Sequence, residues 1–502
     1  MGFQDPELKV SALDDALLER LNNPASPART KFYSTFGPIP QGMDFVDGAT
    51  TPLTRRVTAP LGSTSGVVAA SALDRCQRTI VTLPVPITRW RIKIANWNIL
   101  GNTALTTPIS GTGIFYGTPA AVVTTGSTNR WNGDYASAPA QAVGSFSVPT
   151  DGTDYVSPWI DAPLAAKTPL MLSLGFTTTA TGTGVSTGSG CQVAGISAAG
   201  SAKAGDTVIS GAGGYFAPTA GAYFDIRVEY EFVGTTPIGV FIGDSITEGT
   251  SDGDVFRTQQ ACLPHEAWPG AAGMQGNYAT INLGTASANL ATFDASNKRA
   301  WARADLATTV PDFAVIALGT NNIGAGYQVN VAAYVAMFQL IKSMGIKRIF
   351  VSTLVPRTDA AALAGTLAAD IAVGVTSISS TVSIPNGTPI QMGWGRTLER
   401  LTTNGAPTGS GPYTIPLPAT AIAHKAGDQV ISGMEMSRQG INDWLRQVPG
   451  DVLGCLDFDL AMAFGIGSSK PDPRTMSADG VHPLRSGYQR MGTLAAPLGV
   501  TL

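Results

Sequence analysis

The segment GDSITEG at 243–249 follows directly on the apolar run PIGVFIG, and its Ser245 is the serine whose setting best suggests chemistry. A serine just past the C-terminal end of a buried parallel strand sits where open α/β sheets place their ligands. Gly243 lets the chain turn sharply, and a following helix would offer N-terminal amides to a developing negative charge. The plainer alternative is a strand–turn–helix junction with a capping serine. A serine hydroxyl is a weak nucleophile without a base, and the chain holds only three histidines: His265, His424 and His482. His265 lies in a loop-like segment with Pro264 and Pro269, and His424 in a Thr/Ser/Ile/Pro-rich stretch. His482 lies in SADGVHPLRSGY, three residues after Asp479. On a tight turn that spacing lets the carboxylate hold one ring nitrogen while the other faces a serine. GTNN (319–322) ends the run DFAVIAL; an asparagine amide there can donate to an oxyanion, although alone it reads as a polar strand end. Ser186 in GVSTG and Ser251 in GTSDG match the G-x-S-x-G spacing, but neither follows a buried strand. Ser245 has Thr247 where that elbow needs glycine, which disfavours an α/β-hydrolase.

Taken in order, GDSITEG, NLGTASAN, GTNN and DGVHP resemble the motif blocks of the SGNH (GDSL-type) hydrolase family, over roughly 236–362 and 433–502. The resemblance implies a flavodoxin-like, three-layer α/β domain that hydrolyses esters through an acyl-enzyme. It implies Ser245, His482 and Asp479 as the catalytic residues. The oxyanion hole would comprise the Ser245 amide, an amide of the second block and the Asn321 side chain. Two departures stand out. Ser287 occupies the position where the family has glycine as amide donor, with Gly284 as the neighbouring candidate, and Asn322 replaces the usual aspartate. No cofactor and no metal is implied.

The elements that must position these residues show two grammars. From about 46 to 234 the chain reads as short strands joined by Gly, Thr, Ser and Ala, which suggests a β-sandwich of jelly-roll type. Within it Trp90, Ile92 and Ile94 alternate with Arg89, Arg91 and Lys93. Likewise Phe224, Ile226, Val228, Tyr230 and Phe232 alternate with Asp225, Arg227, Glu229 and Glu231, so both are read as half-buried strands. Trp90, Trp97, Trp131 and Trp159 are either core residues or sugar-stacking platforms. From 235 to 502, apolar strands (PIGVFIG, YATINLG, DFAVIALG, KRIFVSTL) alternate with helical stretches such as 331–344, the pattern of a parallel sheet covered on both faces. A β insertion is expected at about 363–432. The near-repeat KAGDTVISG (203–211) and KAGDQVISG (425–433) reads as a reused hairpin. Residues 250–276, with His265 and Trp268, are expected to shape the acyl and leaving-group pockets.

Residues 1–45 read as an attachment segment with an amphipathic helix at 11–21, where Leu13, Leu17, Leu18 and Leu21 share a face. ALLERLNNPASPARTKFYSTFG resembles segments of bacteriophage minor tail proteins. Net charge is −3, so neither nucleic acid nor an anionic membrane is an expected partner. Cys76, Cys191, Cys262 and Cys455 are scattered without a CxxC pair, pointing to isolated thiols rather than a zinc site. Asp5, Glu7, Asp14, Asp15 and Glu19 break any signal-peptide pattern, and no run is long enough to span a bilayer. The resulting expectation is a tail-borne esterase, acting as a homo-oligomer such as a trimer, that removes acyl groups, acetyl above all, from glycan at the host surface. The competing readings are a catalytically idle receptor-binding tail protein and a secreted bacterial lipase or esterase.

Overall fold

The computed structural model describes residues 54–120, 133–188, 195–197, 200–209, 215–216, 223–250, 263–325, 327–357, 364–393, 397–464 and 471–499. The expected helix at 11–21, with Trp131, Cys191, Ser251 and Cys262, lies outside them.

Among the described residues the first half forms two short two-stranded sheets and two large antiparallel ones. In one, Asp225–Val233 pairs with Thr54–Pro60 on one side and Arg89–Ala95 on the other, with Tyr155–Val156 beyond. In the other, Pro169–Thr178 lies between Asp74–Thr82 and Ile109–Gly117. Their apolar faces meet: Trp90 of the first sheet sets its ring edge-on to Tyr116 of the second at 5.2 Å. A small cavity between them is lined by Ile92, Ile94 and Ile226 on one side and by Ile114, Leu172 and Leu174 on the other.

The alternation at 224–232 differs from its half-buried reading. Asp225, Arg227, Glu229 and Glu231 are buried as fully as their apolar neighbours. Glu229 and Glu231 are paired within the sheet by Arg56, Arg89 and Arg91, while the second half of the chain reaches the same face with charges for Asp225 and Lys93. Arg299 pairs with Asp225 and reaches Asp154 at 2.9 Å. Lys93 bridges Glu229 at 2.9 Å and Asp305 at 2.6 Å, and Arg303 lies 3.4 Å from Asp225. Buried charge is tolerated here because each ion faces its opposite. Burial pushes the Asp225 carboxyl up, but Arg227, Arg299 and Arg303 outweigh it and hold the group below its ordinary value.

The second half is built on a parallel sheet of β1 (Ile238–Gly243), β2 (Ala279–Asn282), β3 (Phe313–Ala317), β4 (Ile349–Ser352) and β5 (Val452–Leu456), ordered β2-β1-β3-β4-β5. Alternate residues face opposite cores. Val240, Ile242, Ala314 and Ile316 join helices Tyr327–Ser343 and Gly433–Arg446 on one side, where Phe338 stacks on Trp444. Phe241, Phe313 and Val315 join Trp268–Gly276 and Arg485–Ala495 on the other. There Gly492 permits close approach, since a Cβ on it would lie 2.7 Å from that of Ala271. Among the described residues no helix is long and apolar enough to cross a membrane.

Between β4 and Gly433–Arg446 the chain makes short antiparallel pairs, such as Pro389–Met392 with Glu399–Thr402 and with Gln429–Ser432, around a core of its own. The KAGD near-repeat does not form the same hairpin twice. Lys425–Asp428 closes a turn into the strand Gln429–Ser432. Lys203–Gly205 instead belongs to a 3-10 turn, and Thr207–Ile209 is not a strand. In the first copy Arg78 takes the carbonyls of Lys203 and Asp206, and Asp134 accepts from the Ile209 amide, so no ladder forms.

Removing Asp225 leaves three buried guanidinium groups without their shared carboxylate. Asp225→Ala is expected to destabilise the protein by about 3–5 kcal/mol in urea unfolding. A loss under about 1 kcal/mol would show that this ionic layer is not what joins the two halves.

Candidate active site

Strand order reverses between β1 and β3, and at such a switch point the loops leaving the strands diverge and open a crevice. β1 ends at Gly243. A Cβ there would lie 1.9 Å from Thr247 Oγ1, so only glycine allows Thr247 to fold back over the strand end. Asp244 caps the next turn by accepting the Ile246 N–H at 3.0 Å. α1 (Ser245–Glu248) is then a single turn, ended by Gly249 at φ 96°. The helix expected here is therefore too short to add a useful dipole, and individual N–H groups must serve instead.

From the far end of the chain, residues 477–482 return to this turn. Ser245 Oγ lies 2.8 Å from His482 Nε2, and His482 Nδ1 lies 2.6 Å from Asp479 Oδ2. The other Asp479 oxygen accepts from Ser477 Oγ at 2.6 Å and from the Val481 and His482 amides at 2.9 Å each. Partial burial pushes the Asp479 carboxyl up, but these hydrogen bonds prevail and hold it far below the usual carboxylate range. An ionised Asp479 fixes the proton of His482 on Nδ1 and leaves Nε2 to accept from the serine. Such a chain activates a hydroxyl for attack on a carbonyl carbon.

The neighbouring loops supply donors. Thr285 N–H donates to Gly243 O at 3.1 Å, tying the loop after β2 to the end of β1. Ser287 is exposed and adopts the left-handed conformation at φ 63°, which explains why glycine suits this position. Its N–H has no acceptor among the described residues. Gly284 is not a donor to the site: its N–H is spent on Asn282 Oδ1 at 2.8 Å. Its lack of a side chain serves contact with α1, because a Cβ would lie 2.3 Å from Glu248 N. Asn321 Nδ2 donates to Ala288 O at 2.8 Å, which orients the amide and leaves a second hydrogen. Asn322 Oδ1 accepts from Leu290 N at 2.8 Å, so the residue in place of aspartate still supplies an acceptor.

Sequence reasoning missed Arg357, which donates to Thr320 O at 2.9 Å and braces the Asn321 turn from beyond β4. No local spacing signals it. Trp268 does not shape a pocket; it is buried against Phe241 and Phe458 at 5.1 and 5.0 Å. His265 is half-buried, and His424 is buried with Nε2 at 3.0 Å from Glu399 Oε2. Trp90 is core, and Arg89 and Arg91 each lie 4.5 Å from the Trp159 ring centre, which leaves it poorly placed to stack on a sugar.

Residues 241–490 match the GDSL-like Lipase/Acylhydrolase family. That match supports the SGNH/GDSL hydrolase family, and an esterase or acylhydrolase, for this region. No curated protein matches the chain. Among solved structures it is similar to a family two carbohydrate esterase from Clostridium thermocellum in complex with cellohexaose, at 14% identity and TM-score 0.31, covering 88% of this chain and 93% of that one. It is also similar to a member of the lipolytic protein G-D-S-L family from Veillonella parvula, at 15% identity and TM-score 0.30, covering 53% and 99%.

Burial lifts the Asp244 carboxyl to about 6, against the Ile246 N–H, His482, Thr320 and Arg357, which pull it down. Between its ordinary value near 4 and about 6, the folded protein holds a proton that the unfolded chain has released. Stability from this group is thus present in acid and lost as pH rises through that window, by about 3 kcal/mol in all. Asparagine keeps the cap and cannot ionise. Asp244→Asn should gain stability over the native protein between pH 4 and pH 7 in urea unfolding; an equal difference at both would contradict the assignment.

Proposed function

We propose that this protein is a serine esterase acting on O-acyl esters, acetyl above all, with Ser245 as nucleophile, His482 as general base and acid, and Asp479 as its orienting partner. One observation carries the reading: the 2.8 Å approach of Ser245 Oγ to His482 Nε2, backed by Asp479, at the switch point of the parallel sheet. In the first step Ser245 Oγ attacks the ester carbon while its proton passes to Nε2. The resulting oxyanion takes hydrogen bonds from the Ser245 and Ser287 amides and from Asn321 Nδ2. Collapse expels the alcohol, which leaves with the Nε2 proton, and water repeats the sequence to release the acid.

The substrate class we favour is acylated glycan, with small esters as simpler substrates. The β-rich region, assigned to 46–234 as a jelly-roll-like domain, would present it, and 235–502 would be the hydrolase domain with its insertion at 363–432. The tail-like segment within 1–45 supports a place in a virion tail, beside other tail proteins and as a homo-oligomer, acting at the host cell surface. A secreted enzyme acting outside the cell is the alternative setting for the same chemistry.

Hydrolysis of p-nitrophenyl acetate tests the chemistry, and acetate release from acetylated polysaccharide tests the substrate class. Ser245→Ala should lower kcat/KM by about a thousandfold or more. Turnover that survives the substitution would overturn the reading, and a simple ester cleaved with polysaccharide untouched would remove the glycan.

A further inference from the structure

Beneath the Ser245 turn lies a buried polar cluster to which the β-rich region contributes directly. Glu248, the last residue of α1, is 1% exposed. Its Oε1 accepts the Ser63 N–H at 3.1 Å and the Ser63 hydroxyl at 2.7 Å, and its Oε2 accepts from Thr250 Oγ1 at 3.4 Å. Ser63 is itself buried, on the segment that follows strand Thr54–Pro60. Beside it Arg303 donates to Gly62 O, and from Nη1 to Leu283 O at 3.5 Å and Thr285 Oγ1 at 3.3 Å. The same guanidinium lies within Coulombic reach of Glu248. One buried cluster therefore joins three pieces: the turn bearing Ser245, the loop bearing Ser287, and residues 62–63.

A helix of one turn cannot hold its own orientation, because fixing its dihedrals outweighs the few hydrogen bonds it makes. α1 has the Glu248 N–H to Asp244 O bond at 2.9 Å and the Gly249 N–H to Ser245 O bond at 3.0 Å. Further restraint comes from outside: Asn282 Nδ2 on Thr247 O at 2.9 Å, Thr247 Oγ1 on Ala317 O at 3.4 Å, Tyr488 OH on Thr250 O at 2.5 Å, and Ser63 on Glu248. We propose that Ser63 is a positioning residue for the esterase, acting through Glu248 to set the turn that carries Ser245, so that the catalytic centre is incomplete without the β-rich region. This rests on the esterase reading above. Ser63 touches no reacting atom, so its loss should fall on kcat and spare KM.

The test uses the full-length chain and p-nitrophenyl acetate, with kcat and KM measured separately. Ser63→Ala should lower kcat by about ten- to a hundredfold, the scale of a small misplacement of a reacting group, with KM changed less than about twofold. Ser63→Thr should restore most of the rate and the isosteric Ser63→Val should not; that pair decides the question even if the alanine variant unfolds. Asn102→Ala is the control, since Asn102 also bridges the two halves, donating to Ser296 O at 3.3 Å from an exposed position. It should leave kcat unchanged. If Ser63→Val keeps the native kcat, or Asn102→Ala lowers it as much as Ser63→Val does, the positioning role is overturned while an inactive Ser245→Ala still upholds the esterase. A native protein without any hydrolysis overturns both.

Discussion

A hydroxyl and an imidazole 237 residues apart in the chain can share a proton only if the fold returns one to the other. Most of the second half can be understood as what that return requires. β1 delivers Ser245 to the switch point, and Gly243 clears the space for Thr247. The loop carrying His482 is pinned from both ends. Leu484 N–H reaches Thr475 O at 2.7 Å, and helix Arg485–Ala495 packs on Trp268–Gly276 across the sheet face. Tyr488 OH then donates to Thr250 O at 2.5 Å, joining that helix to the end of the turn that carries Ser245.

The two halves are not beads on a string. One apolar core runs from the facing sheets of the β-rich region into the parallel sheet, and a layer of buried ions lies alongside it. Ion layers of this kind add little net stability over an apolar interface, but they punish misalignment, because any shift strands a charge. That property suits a protein whose Ser245 lies on a single helical turn held from several directions. The same arrangement brings Gly62 and Ser63 of the β-rich region to Arg303 and to the turn that carries Ser245.

Much of the site was legible in the sequence because its signals are local. GDS after an apolar run, Asp479 three residues before His482, and GTNN at a strand end each encode their own turn. The parallel strands were legible for the same reason, being continuous apolar runs; β5, interrupted by Gly454 and polar neighbours, was not singled out. What escaped depends on contacts between distant segments. Glu248 reads as a polar residue on a short helix, and nothing in its surroundings names Ser63, 185 positions earlier. Gly284 looks like an oxyanion glycine until α1 is seen lying against it. The charged alternation at 224–232 gives the period of a strand correctly, but a period cannot tell solvent from neighbouring segments bearing opposite charges.

If Ser245 is an activated nucleophile, covalent chemistry reveals it without reference to any substrate. Treating the protein with a fluorophosphonate and mapping the adduct by peptide mass spectrometry should find one modified serine, in the GDSITEG peptide, with labelling suppressed in His482→Ala. An unmodified protein, or an adduct on a different serine, would contradict the account.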